Sequence, residues 1–440
     1  MVEPKYLMPA FTWYQANALM LLNSASAFTP ETYGAVGNGI DDDTIAVEAA
    51  IEAAADYGNG LVWLSKTYLV GECDLQSNIT IDGGGTLKRK SGSTTYALAC
   101  TTSEVYQNIT IRNIRINGNK ANTSSGGGIV AAGTNIVIEN CYIYDCPNAA
   151  INIGFRTGGY GLRITNNRFL NCGKSNGWGA VGVTGGLDAV ITGNQIVCND
   201  AQGVYGIDIE PNAMDYAGIG RILIANNQIR GGHIYVDGGN LTGGLLQDVS
   251  VTGNLVDATG SYLTTFANDA PFTCRSTKNL KVSDNTFIDN PLSAIAMRAM
   301  VLVSGNVNFD ISNNYCVMTG IAGSDQGIRG LGVNSYGSIS NNTLIGLGAN
   351  PVGVGIYGFS AADGLDHVRA VNNTTLGGVT ELYQIGDLDS YYQDMKVTTA
   401  NRPTAMLQIG DMVLDTTLDA DGYPIWWQGT KFIKSDGTNA

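Results

Sequence analysis

Apolar and polar residues alternate with a period of two along many short stretches of this chain. The alternation is clearest in NITIRNIRI from Asn108 and in RILIANNQIR from Arg221. A period of two indicates strands that bury one face and expose the other. Most of the chain is therefore predicted to be β-structure.

The strands are separated by a short turn that reads apolar, any residue, Asn/Gly/Asp, Asn, any residue, apolar. Clear and looser copies of this turn begin at Ile81, Ile111, Ile138, Ile164, Ile191, Ile224, Val251, Val282, Ile311, Ile339 and Val371. Successive copies lie 26 to 33 residues apart. Asn and Gly tolerate the left-handed backbone that a sharp turn requires. A fixed period of this length is typical of a solenoid.

One such repeat has too little apolar surface to fold alone, but repeats stacked about 4.8 Å apart pair their backbones with the coils above and below. We therefore predict an all-β fold, a right-handed parallel β-helix of about eleven coils. The Asn that recurs in each turn predicts an internal amide ladder. Asn-x-Ser/Thr matches such as those at Asn78 and Asn108 are interpreted as parts of the same repeat, not as glycan sites.

Both ends of the stack carry segments of different character. Asp42 or Asp43 can cap an Ala-rich helix that runs through Ala55 and stops at Gly58, and we expect this helix to cover the open N-terminal coil. The coil pattern stops after Gly378. The chain is thus divided into a tail or linker (1–30), the β-helix with its cap (31–379) and a C-terminal β cap or tail-type module (380–440).

Composition narrows the classes of function. A net charge of −14 argues against binding of nucleic acid phosphates, and no stretch is long and apolar enough for membrane insertion. The first residues lack the basic region of a signal peptide. The eight cysteines include no CxxC and no His at metal spacing, so we expect buried free thiols and folding in the reducing bacterial cytoplasm.

The segment from Tyr33 to Val70 combines Tyr-Gly-Ala, a Gly-x-Gly turn, an acidic helix start and a Thr-Tyr-Leu ending. It resembles the N-terminal motif of the pectate-lyase-3 type of β-helix proteins. Ser65 and Lys66 stand where that motif has Pro-x-Gly, a departure that concerns one turn. The resemblance implies the architecture but not the chemistry, because such proteins include polysaccharide lyases, glycoside hydrolases, uronate epimerases and phage tailspikes.

The segment from Asn401 to Gly437 contains Arg-Pro-Thr, Gly-x-Met, Asp-Thr-Thr and Trp-Trp-x-Gly-Thr and predicts short strands joined by turns. It is similar to a segment of phage and prophage tail proteins. A β-hairpin cap, with Trp426 and Trp427 packed on the last coil, is the alternative interpretation. If the chain is a phage tail protein, residues 1–30 would be a linker to a virion-binding module or a truncated start.

A β-helix carries its sites on outward-pointing side chains of successive coils. We aligned five strands that follow the Asn turns: Ala149–Phe155, Gly179–Gly185, Tyr205–Pro211, Gly232–Gly238 and Ser293–Ala299. Their alternation puts Asp208, Glu210 and Asp237 on one face. Asp208 and Glu210 are about 6.7 Å apart along the strand, and Glu210 and Asp237 are about 4.8 Å apart across one rung.

Carboxyl groups so close raise one another's pKa, which keeps an acid protonated beside an ionised partner. The wider spacing suits an inverting glycosidase and the narrower one a retaining glycosidase. Solvated surface charge is the alternative. No cofactor is expected, except that the three carboxylates could hold Ca²⁺ if the protein is a lyase.

Side chains near these carboxylates suggest a sugar-binding surface. Aromatic rings could stack on sugars, the imidazole could orient a substrate or be an ordinary surface histidine, and the guanidinium groups could bind a substrate carboxylate or form ordinary salt bridges. The candidates are Tyr235, Trp178, Tyr205, His233, Arg156 and Arg298.

Together with the two resemblances, these residues predict a phage tailspike-like depolymerase that hydrolyses a bacterial surface polysaccharide, either capsule or O-antigen. It would fold in the bacterial cytoplasm and act at the virion tail, outside the cell. The resemblance implies a homotrimer and contacts with other virion tail proteins. The alternatives are a bacterial polysaccharide lyase or uronate epimerase and a non-catalytic glycan-binding tail adhesin.

Overall fold

The structure is a computed structural model, and it forms a parallel β-solenoid of about nine turns with little helix. It describes residues 27–100, 106–153, 160–173, 179–185, 187–198, 205–211, 220–239, 245–259, 270–288, 298–302, 305–318, 326–331, 334–347, 352–358, 365–377, 379–385, 396–397, 412–415, 423–427 and 432–434. The predicted fold class is confirmed. The sequence predicted about eleven coils, slightly more than the number in the structure.

The chain divides into two compact units, Met1–Gly173 and Lys174–Ala440. In each unit a coil gives one strand to each of three parallel sheets. We designate the sheet before the Asn turn the first sheet, the sheet after it the second, and the sheet that follows the second the third.

In the first unit the strands of the first sheet are Ala27–Phe28, Gly60–Trp63, Ile79–Asp82, Gln107–Arg112, Thr134–Glu139 and Arg163–Thr165. Those of the second sheet are Asn38–Asp42, Thr67–Val70, Thr86–Arg89, Arg115–Asn117, Tyr142–Tyr144 and Arg168–Leu170. Those of the third are Cys73–Asp74, Leu98–Ala99, Ile129–Ala131 and Ile151–Ile153. Two short 3-10 helices span Pro30–Tyr33 and Lys120–Asn122.

In the second unit the strands of the first sheet are Leu187–Thr192, Gly220–Ala225, Leu246–Thr252, Thr277–Ser283, Val307–Ser312, Asn334–Ser340 and Leu365–Val371. Those of the second are Gln195–Val197, Gln228–Arg230, Leu255–Asp257, Thr286–Ile288, Tyr315–Met318, Thr343–Gly346 and Thr374–Gly377. Those of the third are Val181–Val183, Tyr205–Ile209, His233–Asp237, Phe272–Arg275, Arg298–Leu302, Gln326–Gly330, Val352–Gly358 and Val379–Ile385.

The predicted amide ladder is present at the turn between the first and second sheets. In the second unit each ladder amide donates to the side-chain oxygen of the next one over 2.9–3.0 Å. These side chains are buried, so each bond is shielded from water. The ladder residues are Asn194, Asn227, Asn254, Asn285, Asn314, Asn342 and Asn373. The position before a ladder Asn adopts the predicted left-handed backbone, for example at Asn226 and Asn313.

The predicted helix spans Thr44–Tyr57, two residues past Ala55, and ends at Gly58. Asp43 occupies the N-cap position, but its carboxylate accepts the backbone N–H of Val36 over 2.7 Å and so holds the preceding turn. The apolar face of the helix packs on the first strands of the solenoid, which places it at the N-terminal end as expected. The side chains buried there are Ala46, Val47, Ala50, Ile51 and Ala54.

All eight cysteines are unbridged. Seven of them are buried and Cys100 is half-buried, which confirms free thiols that pack as small apolar groups. Burial raises the pKa of the Cys141 and Cys316 thiols to about 12, so both stay protonated and unreactive.

The C-terminal residues form a separate four-stranded sheet. Its strands are Lys396–Val397, Met412–Asp415, Tyr423–Trp427 and Phe432–Lys434. The last three pair in antiparallel fashion, as expected for short strands joined by turns. The side chains of Trp426 and Trp427 lie outside the described residues. Among the described helices, none is both long and apolar enough to cross a membrane.

Candidate functional site

The candidate site lies on the third sheet of the second unit, on the neighbouring strands Tyr205–Ile209 and His233–Asp237. Asp208 pairs with Tyr235 and Ile209 pairs with Val236, so the register carries Glu210 next to Asp237. The register shifts between Tyr205 and Ile207, which marks a bulge in this pair of strands.

The side chains that alternation predicts to point inward from the third sheet are all buried, so the opposite face of each strand points outward. The inward side chains are those of Ile151, Ile153, Val181, Val183, Ile207, Ile209, Ile234 and Val236. The outward face is also largely covered here: only 7% of Asp208 and 1% of Asp237 is exposed. Solvated surface charge, the alternative interpretation of this cluster, does not describe these two carboxyl groups.

Asp208 carries a buried carboxyl group without full hydrogen bonding. Its Oδ1 is buried and has no hydrogen-bond partner. Burial, together with the nearby charges of Glu210 and Asp237, raises the pKa of Asp208 well above its ordinary value. A carboxyl group in this setting holds a proton that it can donate.

Asp237 has a different environment, because its charge is compensated. Arg275 holds it in a two-pronged ion pair, with Nε 2.7 Å from Oδ1 and Nη2 2.5 Å from Oδ2. The Tyr235 hydroxyl donates to Oδ2 over 2.9 Å, and the Gly239 N–H donates to Oδ1 over 2.6 Å. With its lone pairs engaged, Asp237 is suited to position Tyr235 rather than to transfer a proton.

Tyr235 remains protonated at neutral pH. Burial and the adjacent Asp237 carboxylate raise the pKa of its hydroxyl. Its ring stacks on that of Tyr205, with centroids 4.8 Å apart and planes 13° apart. Tyr205 is itself buried, and Tyr235 is the half-buried member of the pair that reaches solvent.

His233 is fully buried and is not a surface histidine. Its ring meets Tyr205 edge-on at 4.4 Å, and neither ring nitrogen has a hydrogen-bond partner. Burial lowers the pKa of His233 to about 3, so the imidazole is neutral wherever the protein is folded at ordinary pH. Substrate orientation by His233 stays a prediction.

The alignment of Ser293–Ala299 with this sheet was wrong. The strand of that coil is Arg298–Leu302, with Met300 in register with Phe272. Nine residues (289–297) lie between this strand and the strand before it in the chain. Only two (231 and 232) lie between the strand His233–Asp237 and the strand before it. Arg298 pairs with Gln326 and is not in register with either Asp208 or Asp237.

Arg156 and Trp178 lie outside the described residues, as does the side chain of Arg298. Sequence reasoning missed Arg275, the counter-ion of Asp237. A signal was available: Arg275 ends the otherwise uncharged strand FTCR, one coil after Asp237.

No group of three or more His, Cys, Asp or Glu residues in the described part of the chain is arranged to hold a metal ion. The carboxylate oxygens of Asp237 already accept hydrogen bonds from protein donors. A calcium ion at the three carboxylates stays an untested expectation.

Comparison with solved structures places the fold among right-handed parallel β-helix proteins. The A-module of mannuronan C-5 epimerase AlgE6 from Azotobacter vinelandii superposes with a TM-score of 0.58 at 16% identity, covering 82% of this chain and 97% of the module. Tailspike protein 3 of bacteriophage CBA120 gives a TM-score of 0.51 at 15% identity, covering 99% of this chain and 77% of the tailspike. Likeness at this identity shows the fold alone.

No protein-family profile matches the chain. A stretch of 150 residues is 29% identical to the capsule KN3-specific depolymerase 1 of Klebsiella phage KN3-1, covering 29% of this chain and 19% of that protein. A stretch of 112 residues is 30% identical to AlgE6, covering 22% of this chain and 13% of that protein. The chain therefore aligns with less than a fifth of the length of either relative.

Proposed function

We propose that this chain is a tailspike-like depolymerase that hydrolyses a bacterial surface polysaccharide, either capsule or O-antigen. The observation that carries the proposal is Asp208, a buried outward-facing carboxyl group with an unpartnered oxygen and a raised pKa. Keeping such a group in a folded protein costs stability, and perturbed groups of this kind concentrate at catalytic sites.

The arrangement of the two carboxyl groups supports hydrolysis. Asp208 would act as the general acid that protonates the glycosidic oxygen. Glu210, whose Cα lies two residues and about 6.7 Å further along the chain, would activate the attacking water. Inverting glycosidases need room for water between the acid and the base, and two residues spaced in this way can leave it.

The same geometry argues against a lyase that uses Tyr235 as its base. A base must be deprotonated to accept the proton next to the substrate carboxylate, whereas the Tyr235 hydroxyl has a raised pKa and donates to Asp237. We assign Tyr235 the role of a stacking platform for a sugar ring, aimed by its bond to Asp237. Tyr205 supports it from behind.

The comparisons support the biological setting of the proposal. One relative is a phage depolymerase named for a capsule, and one fold neighbour is a phage tailspike. By analogy we assign this chain to a virion tail, with a homotrimeric assembly and the bacterial polysaccharide as its partner. The AlgE6 likeness keeps an epimerase as the alternative, since that relative is named for a C5-epimerisation.

The reaction class can be read from the products. The full chain is incubated with a panel of purified capsular polysaccharides and lipopolysaccharides, and product mass, reducing ends and ultraviolet absorbance are recorded. Hydrolysis gives new reducing ends without the absorbance of an unsaturated uronate. A lyase gives both signals, an epimerase changes the sugar without cutting it, and an adhesin binds without any product; each of these three results would overturn the proposal.

Glu210→Gln is expected to slow cleavage of the responsive polysaccharide by at least about 100-fold, because the amide cannot take a proton from water. The variant should bind the polysaccharide as the wild type does. Glu139→Gln, on the first sheet of the other unit, is the matched control and should cleave normally. Wild-type cleavage by Glu210→Gln would remove this residue from the mechanism.

A further inference from the structure

A cleft lies on the first sheet of the second unit, on a different sheet from Asp208 and Asp237. It has a volume of about 440 Å³, within the range of ligand sites. Three consecutive rungs line it, with Leu280 paired to Phe309 and Phe309 paired to Gly337. The outer rungs are about 10 Å apart, the length of a short run of sugar units.

Tyr336 lines this cleft in a backbone conformation that a tyrosine rarely adopts. Its φ is 55°, and 58% of the residue is exposed. Corresponding positions of earlier coils have the same left-handed backbone. Asp188, Asp248, Asn279 and Asn308 are residue types that tolerate it. The remaining one, Arg221, forms an ion pair with Asp188 of the preceding coil. An exposed aromatic ring held at a local cost in energy is a feature of functional surfaces.

The polar groups around Tyr336 suit a saccharide. An exposed amide ladder runs from Asn279 to Asn308, whose Nδ2 donates to Asn279 Oδ1 over 2.7 Å. The ladder stops at Asn308 because Tyr336 has no amide to continue it. Amide groups next to an aromatic ring match a sugar, which presents hydroxyl groups at its rim and C–H groups on its face.

Lys281 and Asp310 place one cationic and one anionic side chain on the cleft. The Lys281 ammonium group forms no ion pair within the described part of the chain. Its cross-strand neighbour, Asp310, accepts hydrogen bonds from Ser338 over 2.8 Å and from Ser312 over 3.2 Å. The Asp310 carboxylate is thus engaged by protein hydroxyl groups, whereas the Lys281 ammonium group can meet a carboxylate of a ligand.

We infer that this cleft is a second, non-catalytic binding site for a stretch of acidic polysaccharide. Tyr336 stacks on a sugar ring, Asn308 bonds its hydroxyl groups, and Lys281 meets a carboxylate of the chain. The identity of the ligand rests on the proposed function, whereas the existence of the site does not. A site on a different sheet would anchor a long polysaccharide while the third sheet acts on another stretch of it, so that long chains bind more tightly than short ones.

Affinity electrophoresis in gels that contain each polysaccharide of the panel tests this inference, with the full chain carrying Asp208→Asn so that the probe is not consumed. Tyr336→Asn is the informative variant, because asparagine occupies the corresponding position in the two preceding coils and tolerates the left-handed backbone there. We expect Tyr336→Asn to weaken binding of an acidic polysaccharide about tenfold and Lys281→Gln to weaken it severalfold. Tyr315→Thr removes an exposed tyrosine from the second sheet, where both strand neighbours are threonines, and should bind normally.

The outcomes separate the two proposals. Weaker binding by Tyr336→Asn but not by Tyr315→Thr supports the cleft even if no polysaccharide is cleaved. Unchanged binding by Tyr336→Asn overturns the cleft even if the wild type cleaves its substrate. Retention of no polysaccharide by the parent protein also overturns it, and an unchanged affinity in Lys281→Gln overturns the assignment of an acidic ligand.

Discussion

Asp208→Asn is expected to raise the melting temperature of the chain at neutral pH and to leave it unchanged near pH 4. The folded protein raises the pKa of Asp208, so the stability that the carboxyl group contributes is fully present below its unfolded pKa of about 3.9 and is lost as pH rises towards the folded pKa. Asparagine has no proton to lose. The advantage of the variant should therefore grow by up to about 1.4 kcal/mol per pH unit over this window.

Differential scanning fluorimetry between pH 4 and pH 8 measures this difference. The lowered pKa of His233 destabilises the fold as pH falls from about 6.5 towards 3, in the opposite direction, but it acts equally on both proteins and cancels in the comparison. Asp284→Asn is the matched control, because Asp284 is exposed at a left-handed position that asparagine also tolerates. Equal melting temperatures of wild type and Asp208→Asn at every pH would mean that Asp208 is not protonated in the folded state.

Asn285→Ala is expected to be among the most destabilising single substitutions in the solenoid. Asn285 donates to Asn314 Oδ1 and to the carbonyl oxygen of Val251, both over 2.9 Å, and accepts from the backbone and side chain of Asn254. Alanine would leave several of these buried groups without partners. At about 1–3 kcal/mol for each unsatisfied group, the total loss is on the order of 4 kcal/mol.

Chemical denaturation and thermal melting both report this loss. Asn313→Gly is the control, because Asn313 lies in the same kind of turn but is exposed and has a left-handed backbone that glycine adopts readily. This variant should change stability little. A loss in Asn285→Ala no larger than in Asn313→Gly would show that the ladder does not stabilise the stack.

The fold could be predicted from the sequence because a solenoid repeats one local solution. The turn at Asn226–Asn227 must satisfy the same backbone geometry and the same ladder bonds as every other coil, so its residue types recur at a readable period.

The site was predictable only in part. Strand alternation predicts one face for Asp208, Glu210 and Asp237, because alternation depends on neighbours in sequence. Their environments depend on other coils: Arg275, which neutralises Asp237, comes 38 residues later in the chain, on the next coil. Alternation also cannot tell that the outward face of a strand is covered, which is why the burial of His233 was missed.

Cleavage by Asp208→Asn tests the central claim most directly. Once a responsive polysaccharide is found, release of reducing ends is measured for wild type, Asp208→Asn and Asp284→Asn at equal concentrations and at a pH where all three are folded. If Asp208 is the proton donor, Asp208→Asn loses at least about 100-fold in rate while Asp284→Asn matches the wild type. Cleavage by Asp208→Asn at the wild-type rate would contradict the account, because an amide at this position cannot supply the proton.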